Sequence, residues 1–120
     1  NGSQKITGNL EITGTLSVDN LASFIATLPL IGVNQTYQDV KASRAFNVTY
    51  TNTTGKPILV IASSSNGSIP ITPYVDNLIL GWSTSTYNNG NPKHMATFIV
   101  PAGSTYKVTG STLDYWTELR

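Results

Sequence analysis

Short apolar stretches separated by turn residues run through the chain from Gln35 to its last residue. Eight of these stretches are rich in β-branched and aromatic residues, which favour strands. They span residues 36–40, 46–51, 58–63, 69–75, 77–82, 96–100, 106–109 and 113–119. Clusters of Gly, Pro and Asn between them, for example at 54–57 and 101–103, supply the backbone angles of tight turns. The pattern predicts an all-β fold, an antiparallel and jelly-roll-like β-sandwich, over residues 35–120.

One predicted strand lacks the alternation of apolar and polar residues. Residues 58–61 form a continuous apolar run, Ile-Leu-Val-Ile. Such a run is typical of a strand that is covered on both faces, so we expect it at the centre of the sandwich. Near the end of the chain, Trp116 and Leu119 predict a closing strand that packs on the sandwich.

The first 18 residues follow a six-residue period instead. The apolar residues that carry this repeat are Ile6, Leu10, Ile12, Leu16 and Val18. All five fall on one face of an extended strand, and a segment this short needs neighbouring chains to cover that face. We expect residues 1–18 to be a short β-structured piece of fibre shaft in which three chains wind together. The alternative is an ordinary pair of short strands joined by glycine turns.

Residues 19–34 have a helical period and predict a neck between the shaft and the sandwich. Apolar residues stand at helical spacing at Leu21, Phe24, Ile25 and Leu28. Asp19 or Asn20 is available as the N-cap, and Pro29 follows the pattern closely. The sequence predicts a short amphipathic helix here, with an apolar loop covering core surface as the alternative.

Composition and charge narrow the function classes. A chain of 120 residues supports one domain with a short appendage. Ser, Thr, Asn and Gly provide 50 of those residues and charged residues only 11%, which fits an extracellular or particle-borne β-domain. The absence of cysteine excludes disulfides and thiolate metal sites. With a net charge of +1 and no long apolar stretch, we expect neither nucleic acid binding nor membrane insertion.

The ionisable residues show no catalytic pattern. The six carboxylates are scattered along the chain, whereas glycoside hydrolysis needs two that flank one bond. His94 is the only histidine, and neither a nucleophile motif nor a second metal ligand stands at a suitable spacing. We therefore expect no enzyme activity, no cofactor and no metal site, and we expect His94 to lie at the surface or between subunits.

Four separated segments are similar to one known protein family. They are GVNQTYQDVKAS at 32–43, YTNTTGKPI at 50–58, VPAGSTYKV at 100–108 and LDYWTELR at 113–120. Together they resemble the C-terminal domain of tail fibres and tailspikes of tailed bacteriophages and prophages. The resemblance implies a homotrimeric β-sandwich at the distal tip of a fibre on the virion tail. It also implies recognition of a bacterial surface polysaccharide or lipopolysaccharide, but it supplies no binding site.

Sugar recognition requires a flat aromatic face for the ring and amides or carboxylates for its hydroxyls. Residues 83–95, rich in Ser, Thr and Asn, depart most from the family pattern and predict a long loop that carries such groups. The candidate glycan-binding residues are Trp82, Tyr87, Asn88, Asn89, Asn91 and His94, with Tyr74 and Asp76 as an opposite wall. The alternative is that Trp82 belongs to the core and that the Asn-rich segment is only a hairpin connection.

These observations predict a trimeric tip domain that attaches a phage to a surface glycan through several weak sites at once. Two other functions fit the sequence. One is a structural trimerisation and folding cap whose aromatic residues pack between subunits. The other is a monomeric carbohydrate-binding module of a secreted hydrolase, which would not need the six-residue repeat.

Overall fold

The computed structural model describes residues 2–3, 5–15, 17, 19–88 and 91–120, with only the backbone of residues 84–88 and 91. These residues form one helix, α1 (Leu21–Thr27), and a single 3-10 turn (Lys41–Ser43). The strands are β1 (Tyr37–Asp39), β2 (Tyr50–Thr51), β3 (Ile58–Ser64), β4 (Thr72–Val75), β5 (Leu78–Ile79), β6 (Thr84–Asn88), β7 (Asn91–Val100), β8 (Thr105–Thr109) and β9 (Leu113–Leu119).

The strands make two antiparallel sheets, which confirms the predicted all-β sandwich. The five-stranded sheet has the order β1-β9-β3-β7-β6, and the four-stranded sheet has the order β2-β8-β4-β5. β1 pairs with β9, β2 with β8, β3 with β7 and β4 with β5. The chain is therefore a set of nested hairpins rolled into two layers, which is the jelly-roll arrangement, with β6 added at one edge.

The core lies between the two sheets because each strand turns alternate residues inward. Along β3, Ile58, Val60 and Ala62 are buried while the residues between them are only half-buried. Trp116 of β9 is fully buried, with the ring of Phe46 6.2 Å and that of Tyr50 6.1 Å from it between centroids. The predicted closing strand is thus confirmed, and aromatic packing dominates the centre of the core.

The prediction for the apolar run at 58–61 is half right. The run lies in β3, which is central because it pairs with both β7 and β9. Its outward residues, Leu59 and Ile61, are only half-buried. A two-layer sandwich covers one face of each sheet, so no second sheet of the described residues covers the other face of β3.

Two predicted strands begin late because asparagines and an aspartate at their starts adopt left-handed backbone angles. At 46–51, Asn47 has φ 66°, and only β2 remains extended. At 77–82, Asp76 (φ 47°) and Asn77 (φ 66°) form the two-residue turn between β4 and β5, so the strand begins only at Leu78, and it ends at Ile79, before Gly81 (φ 142°). Paired positive φ values are typical of a type I′ hairpin turn, where Asn and Asp are favoured.

The prediction of a long loop at 83–95 is wrong. Residues 84–88 form β6 and residues 91–95 form the first half of β7, and the two pair as a hairpin from Thr84 opposite Met95 to Asn88 opposite Asn91. The Asn-rich segment therefore belongs to a hairpin, and its ligand role stays a prediction. Threonine-rich strands become stable when they pair, and β6 pairs with β7, which itself pairs with β3. Pairing between distant segments is not visible in the local sequence.

The predicted neck helix forms as α1 and begins after Asn20, which makes no side-chain cap. Its apolar residues Leu21, Phe24 and Ile25 are exposed. The ammonium of Lys56, in the β2–β3 turn, donates hydrogen bonds of 2.9 and 2.8 Å to the carbonyls of Ala26 and Val33. One lysine thus holds the neck on the sandwich while the apolar stripe stays uncovered.

The described residues before α1 contain no strand and are exposed. The radius of gyration is 20.3 Å and the longest dimension 68 Å, whereas a compact chain of this length has a radius of about 14 Å. The N-terminal segment therefore extends away from the sandwich. Its role as a shaft stays a prediction, and two of its repeat positions, Leu16 and Val18, lie outside the described residues. Among those described, no helix is long and apolar enough to cross a bilayer.

Candidate functional site

Trp82 stands on a bulge that connects the two sheets. The backbone N–H of Leu80 donates to the carbonyl of Pro73 at 3.0 Å, and that of Ser83 donates to the carbonyl of Ile71 at 3.0 Å. Two residues, Gly81 and Trp82, therefore lie opposite the single residue between Ile71 and Pro73, which is the count of a β-bulge. Bulges re-aim side chains, and here the indole is 77% exposed.

Gly81 makes this bulge possible. Its φ is 142°, in a region that residues with a Cβ rarely adopt. The chain changes direction there as it leaves β5 and enters β6. The exposure of Trp82 therefore follows from the local backbone, and the alternative that places Trp82 in the core is excluded.

Ser83 fixes the far side of the bulge. Its hydroxyl oxygen accepts a hydrogen bond from the backbone N–H of Ile71 at 3.0 Å and lies 3.1 Å from Nδ1 of His94. Nε2 of His94 lies 3.1 Å from the carbonyl of Gly67, which can only accept. Nε2 of His94 therefore donates to Gly67, and Nδ1 is paired with the Ser83 hydroxyl.

A pocket of about 240 Å³ lies next to the indole. It is lined by Pro73, Leu80, Gly81, Trp82, Ser83, Met95, Ala96, Thr97 and Phe98. These residues come from β4, from the bulge and from β7, so the pocket sits at the corner where the chain crosses between sheets. Among the lining residues that the structure describes, no side chain is ionisable.

The pocket also lies along an open stretch of sheet edge. β6 pairs with β7 only as far as Met95, so within the described residues the next part of β7, 96–100, has no strand partner on that side. Alternate residues of an edge strand present unpaired N–H and C=O groups. The site therefore combines an exposed aromatic face, apolar side chains and neutral hydrogen-bonding groups.

Of the four predicted residues whose side chains the structure describes, Trp82, His94, Tyr74 and Asp76, only Trp82 lines this pocket. His94 is 5% exposed and both ring nitrogens have partners, so the expectation of a surface histidine is wrong, and its imidazole is engaged in the fold. Tyr87, Asn88 and Asn91 lie on the β6–β7 hairpin, where only the backbone is described. Asn89 lies outside the described residues. A ligand role for these four hairpin residues stays a prediction.

Tyr74 and Asp76 lie on the four-stranded sheet and do not line the pocket. Tyr74 is half-buried, with the ammonium of Lys107 4.8 Å from its ring centroid. The carboxylate of Asp76 accepts hydrogen bonds from the backbone N–H and hydroxyl of Thr105 at 2.8 and 3.1 Å. Hydrogen bonds from Ser104 and Thr105 lower the pKa of Asp76, which fits a carboxylate that ties the β4–β5 turn to the start of β8.

Glu118 is the one fully buried carboxylate among the described residues, and it serves the fold. Its oxygens accept hydrogen bonds from Arg44, Tyr106, Trp116 and Arg120 at 2.8–3.1 Å. Burial alone raises the pKa of Glu118, but the bonds and the charge of Arg44 outweigh it and lower that pKa. Burial and the same carboxylate raise the pKa of Tyr106 to about 12. No group of three potential metal ligands is found among the described residues.

The sequence analysis did not identify most of the residues that line the pocket. Met95, Thr97 and Phe98 were assigned to a loop and a strand without a role, and Ser83 was not recognised as the anchor of the bulge. One local signal was available: Gly81 interrupts an apolar run directly before a tryptophan, which is typical of a bulge. The approach of β7 to that bulge depends on pairing between distant segments, which a local pattern does not show.

Comparison with family models, with curated proteins and with solved structures returned no match for this chain. Its function is therefore argued from the site itself.

Proposed function

We propose that this chain is the receptor-binding tip domain of a bacteriophage tail fibre or tailspike, and that it attaches the virion to a bacterial surface glycan. One observation carries the proposal: a tryptophan, 77% exposed on a bulge, stands beside a pocket that has no ionisable lining. A soluble domain rarely leaves an indole in water unless the ring contacts a partner.

A sugar ring suits this site chemically. The C–H face of a pyranose packs on an indole, and its hydroxyls both donate and accept hydrogen bonds. The open edge of β7 beside the pocket offers N–H and C=O groups of both kinds. Such contacts are individually weak because water competes for the same hydroxyls, so firm attachment needs several sites at once.

The assignment to phage tails is supported by the resemblance, whose segments lie in the frame of the sandwich. Residues 32–43 contain β1, 113–120 contain β9, and 50–58 and 100–108 contain the turns that lead into β3 and β8. None of these segments contains Trp82. The resemblance and the pocket are therefore independent arguments, the first for the kind of scaffold and the second for what the scaffold binds.

Assembly as a homotrimer is supported by apolar surface that one chain leaves uncovered. On the outer face of the five-stranded sheet, Leu59 pairs laterally with Ile99 and Leu119, and Leu119 pairs with Tyr37. We call this set of residues the outer apolar row. Apolar residues of α1 and of the N-terminal segment are exposed as well. Copies of the same chain would cover all three surfaces and place several Trp82 pockets on one particle.

A structural cap is the second candidate, and one observation favours it. Leu78, Ile79 and Leu80 are exposed next to Trp82, so the edge of the four-stranded sheet presents an apolar strip. In a cap, this strip and the indole would pack between subunits, and recognition would take place elsewhere in the fibre.

Replacing Trp82 separates the two functions. We expect Trp82→Ala to lower the adsorption of the fluorescently labelled chain to host bacteria at least tenfold, because an aromatic anchor carries much of the contact energy. Light scattering should give the same oligomer mass as the unmodified chain. The matched control is Leu78→Ala, which removes a 67% exposed apolar side chain from the same edge but not from the pocket. Loss of the oligomer in Trp82→Ala would favour the cap.

A further inference from the structure

We infer that the Trp82 pocket is specific for a neutral pyranose that carries a methyl group, either a 6-deoxyhexose or an N-acetylhexosamine. This inference rests on the proposed glycan-binding function and names the class of sugar that the site takes.

The absence of charge in the lining excludes acidic sugars as good ligands. A carboxylate that enters a partly desolvated pocket needs a cation or several donors directed at it. The cations of the neighbouring elements are already engaged: Lys93 pairs with Asp114 at 3.2 Å and Lys107 lies over Tyr74. Both ring nitrogens of His94, next to the pocket, are engaged within the fold, with Ser83 and with Gly67.

The apolar side chains favour a methyl group over a hydroxymethyl group. The exposed side chains of Leu80 and Met95 offer no hydrogen-bonding atom other than the weakly accepting thioether. The primary hydroxyl of an ordinary hexose would lose water there without gaining a partner. A methyl group makes the same contacts without that cost, and the flexible Met95 side chain can adapt to its shape.

The polar groups of the site match the remaining hydroxyls of a neutral ring. Thr97 contributes a hydroxyl to the lining, and the adjacent edge of β7 contributes backbone groups. The hydroxyl of Ser83 is committed to Ile71 and His94. Ligand contacts on this side therefore come from β7, and Ser83 acts as a positioning residue for Trp82.

The size of the pocket limits the ligand to one ring. Its volume of about 240 Å³ is below the range of roughly 300–1,000 Å³ for drug-sized ligands. A single monosaccharide fits this space, and the rest of a polysaccharide would extend into solvent past the exposed indole.

The test is an NMR titration of the full chain with matched sugars, observed at the two indole N–H signals. Trp82 is exposed and Trp116 is buried, so only the Trp82 signal should shift. The pairs are L-fucose against L-galactose, which differ at the C6 hydroxyl, and N-acetyl-D-glucosamine against D-glucose. D-Glucuronate is the charged probe. We expect at least one methyl-bearing sugar to bind about fourfold or more tighter than its partner, the effect of burying one methyl group.

Three variants test whether the preference for methyl-bearing sugars depends on Trp82 and on the uncharged lining of the pocket. Trp82→Ala should abolish the preference, observed through the backbone signals of β7, whereas Leu78→Ala should keep it. Thr97→Lys places a cation in the exposed lining and should raise the affinity for D-glucuronate.

Other outcomes overturn the inference. Equal affinities within both pairs, or tighter binding of D-glucuronate by the unmodified chain, would contradict the methyl-specific pocket but leave glycan attachment standing. If no sugar shifts the Trp82 signal while the chain still adsorbs to bacteria, the glycan site lies elsewhere. If the chain neither binds sugars nor adsorbs to bacteria, the proposed function fails as well.

Discussion

The side chain of Glu118 shows how single residues stabilise a sandwich that has no disulfide. A buried carboxylate is tolerated only when donors replace the water it loses. Arg44 reaches it from the segment after the 3-10 turn, Tyr106 from β8, and Trp116 and Arg120 from its own end of the chain. One carboxylate therefore ties both sheets to the C-terminal strand.

We expect Glu118→Gln to lower the free energy of unfolding by about 3 kcal/mol at neutral pH, because it leaves the guanidinium of Arg44 without its countercharge in a largely buried place. Urea denaturation followed by fluorescence measures this. Asp114→Asn is the control, since its pair with Lys93 is more exposed and should contribute about 1 kcal/mol or less.

The pH dependence of the free energy of unfolding should reflect the lowered pKa of Glu118. The pKa of Glu118 is lower in the folded chain than its ordinary value of 4.5, so the folded state binds fewer protons at acid pH. The stabilisation is present above about pH 4.5 and is lost as the pH falls through the folded pKa. Denaturation midpoints between pH 7 and pH 3 should fall less steeply in Glu118→Gln. An unchanged acid slope would show that other carboxylates control it.

At the scale of elements, the bulge between β5 and β6 creates the candidate binding site on an otherwise regular sheet edge. Backbone hydrogen bonds of Leu80 and Ser83 fix both ends of the bulge, and the side chain of Trp82 between them projects into solvent. The hydroxyl of Ser83 couples this bulge to His94 on β7 and, through His94, to the turn at Gly67. The position of the indole thus depends on three segments that are distant in sequence.

Replacing Ser83 with alanine tests this coupling. The change leaves the N–H of Ile71 and Nδ1 of His94 without their partner, so we expect a loss of about 2 kcal/mol in unfolding free energy. Trp82 fluorescence anisotropy should fall in the folded variant because the ring gains freedom. Ser111→Ala, at an exposed position, should change neither quantity. Unchanged anisotropy in Ser83→Ala would mean that the backbone bonds alone position the indole.

The sequence predicted the elements whose signal is local and missed those that depend on pairing. The β-branched runs and turn residues were enough for the sandwich, and the spacing of Leu21, Phe24 and Ile25 was enough for α1. Hairpin β6–β7 was taken for a loop because its Asn and Ser residues have weak strand preference. The pocket could not be predicted in full, since Trp82 comes to line one pocket with Met95 and Phe98 only after the chain has crossed between sheets.

Across the whole molecule, burial is uneven: a well-packed core is surrounded by uncovered apolar surface. The outer apolar row, the stripe of α1 and the exposed residues Ile6, Leu10 and Ile12 lie on three successive parts of the chain. Patches of this kind mark association sites in soluble proteins. An assembly of identical chains is the simplest arrangement that covers surfaces repeated on every copy.

A charge in the outer apolar row should prevent assembly without unfolding the chain. Ile99 is 53% exposed, so Ile99→Lys costs little in the isolated chain but buries an unpaired ammonium in an interface. We expect light scattering to show a shift from oligomer to monomer, with an unchanged circular dichroism spectrum. Ile79→Lys is the matched control, because Ile79 is 49% exposed on the other sheet. Loss of the oligomer in the control alone would place the interface on the four-stranded sheet.

The most direct test of the proposal, that this chain is one third of a multivalent tip, is its mass in solution. Light scattering should give three times the chain mass of 12.9 kDa. The same measurement on a chain that starts at residue 19 tells whether the sandwich and neck associate without the six-residue repeat. A monomer mass for both chains, which is 12.9 kDa for the full chain, would contradict the fibre-tip proposal and favour a monomeric carbohydrate-binding module.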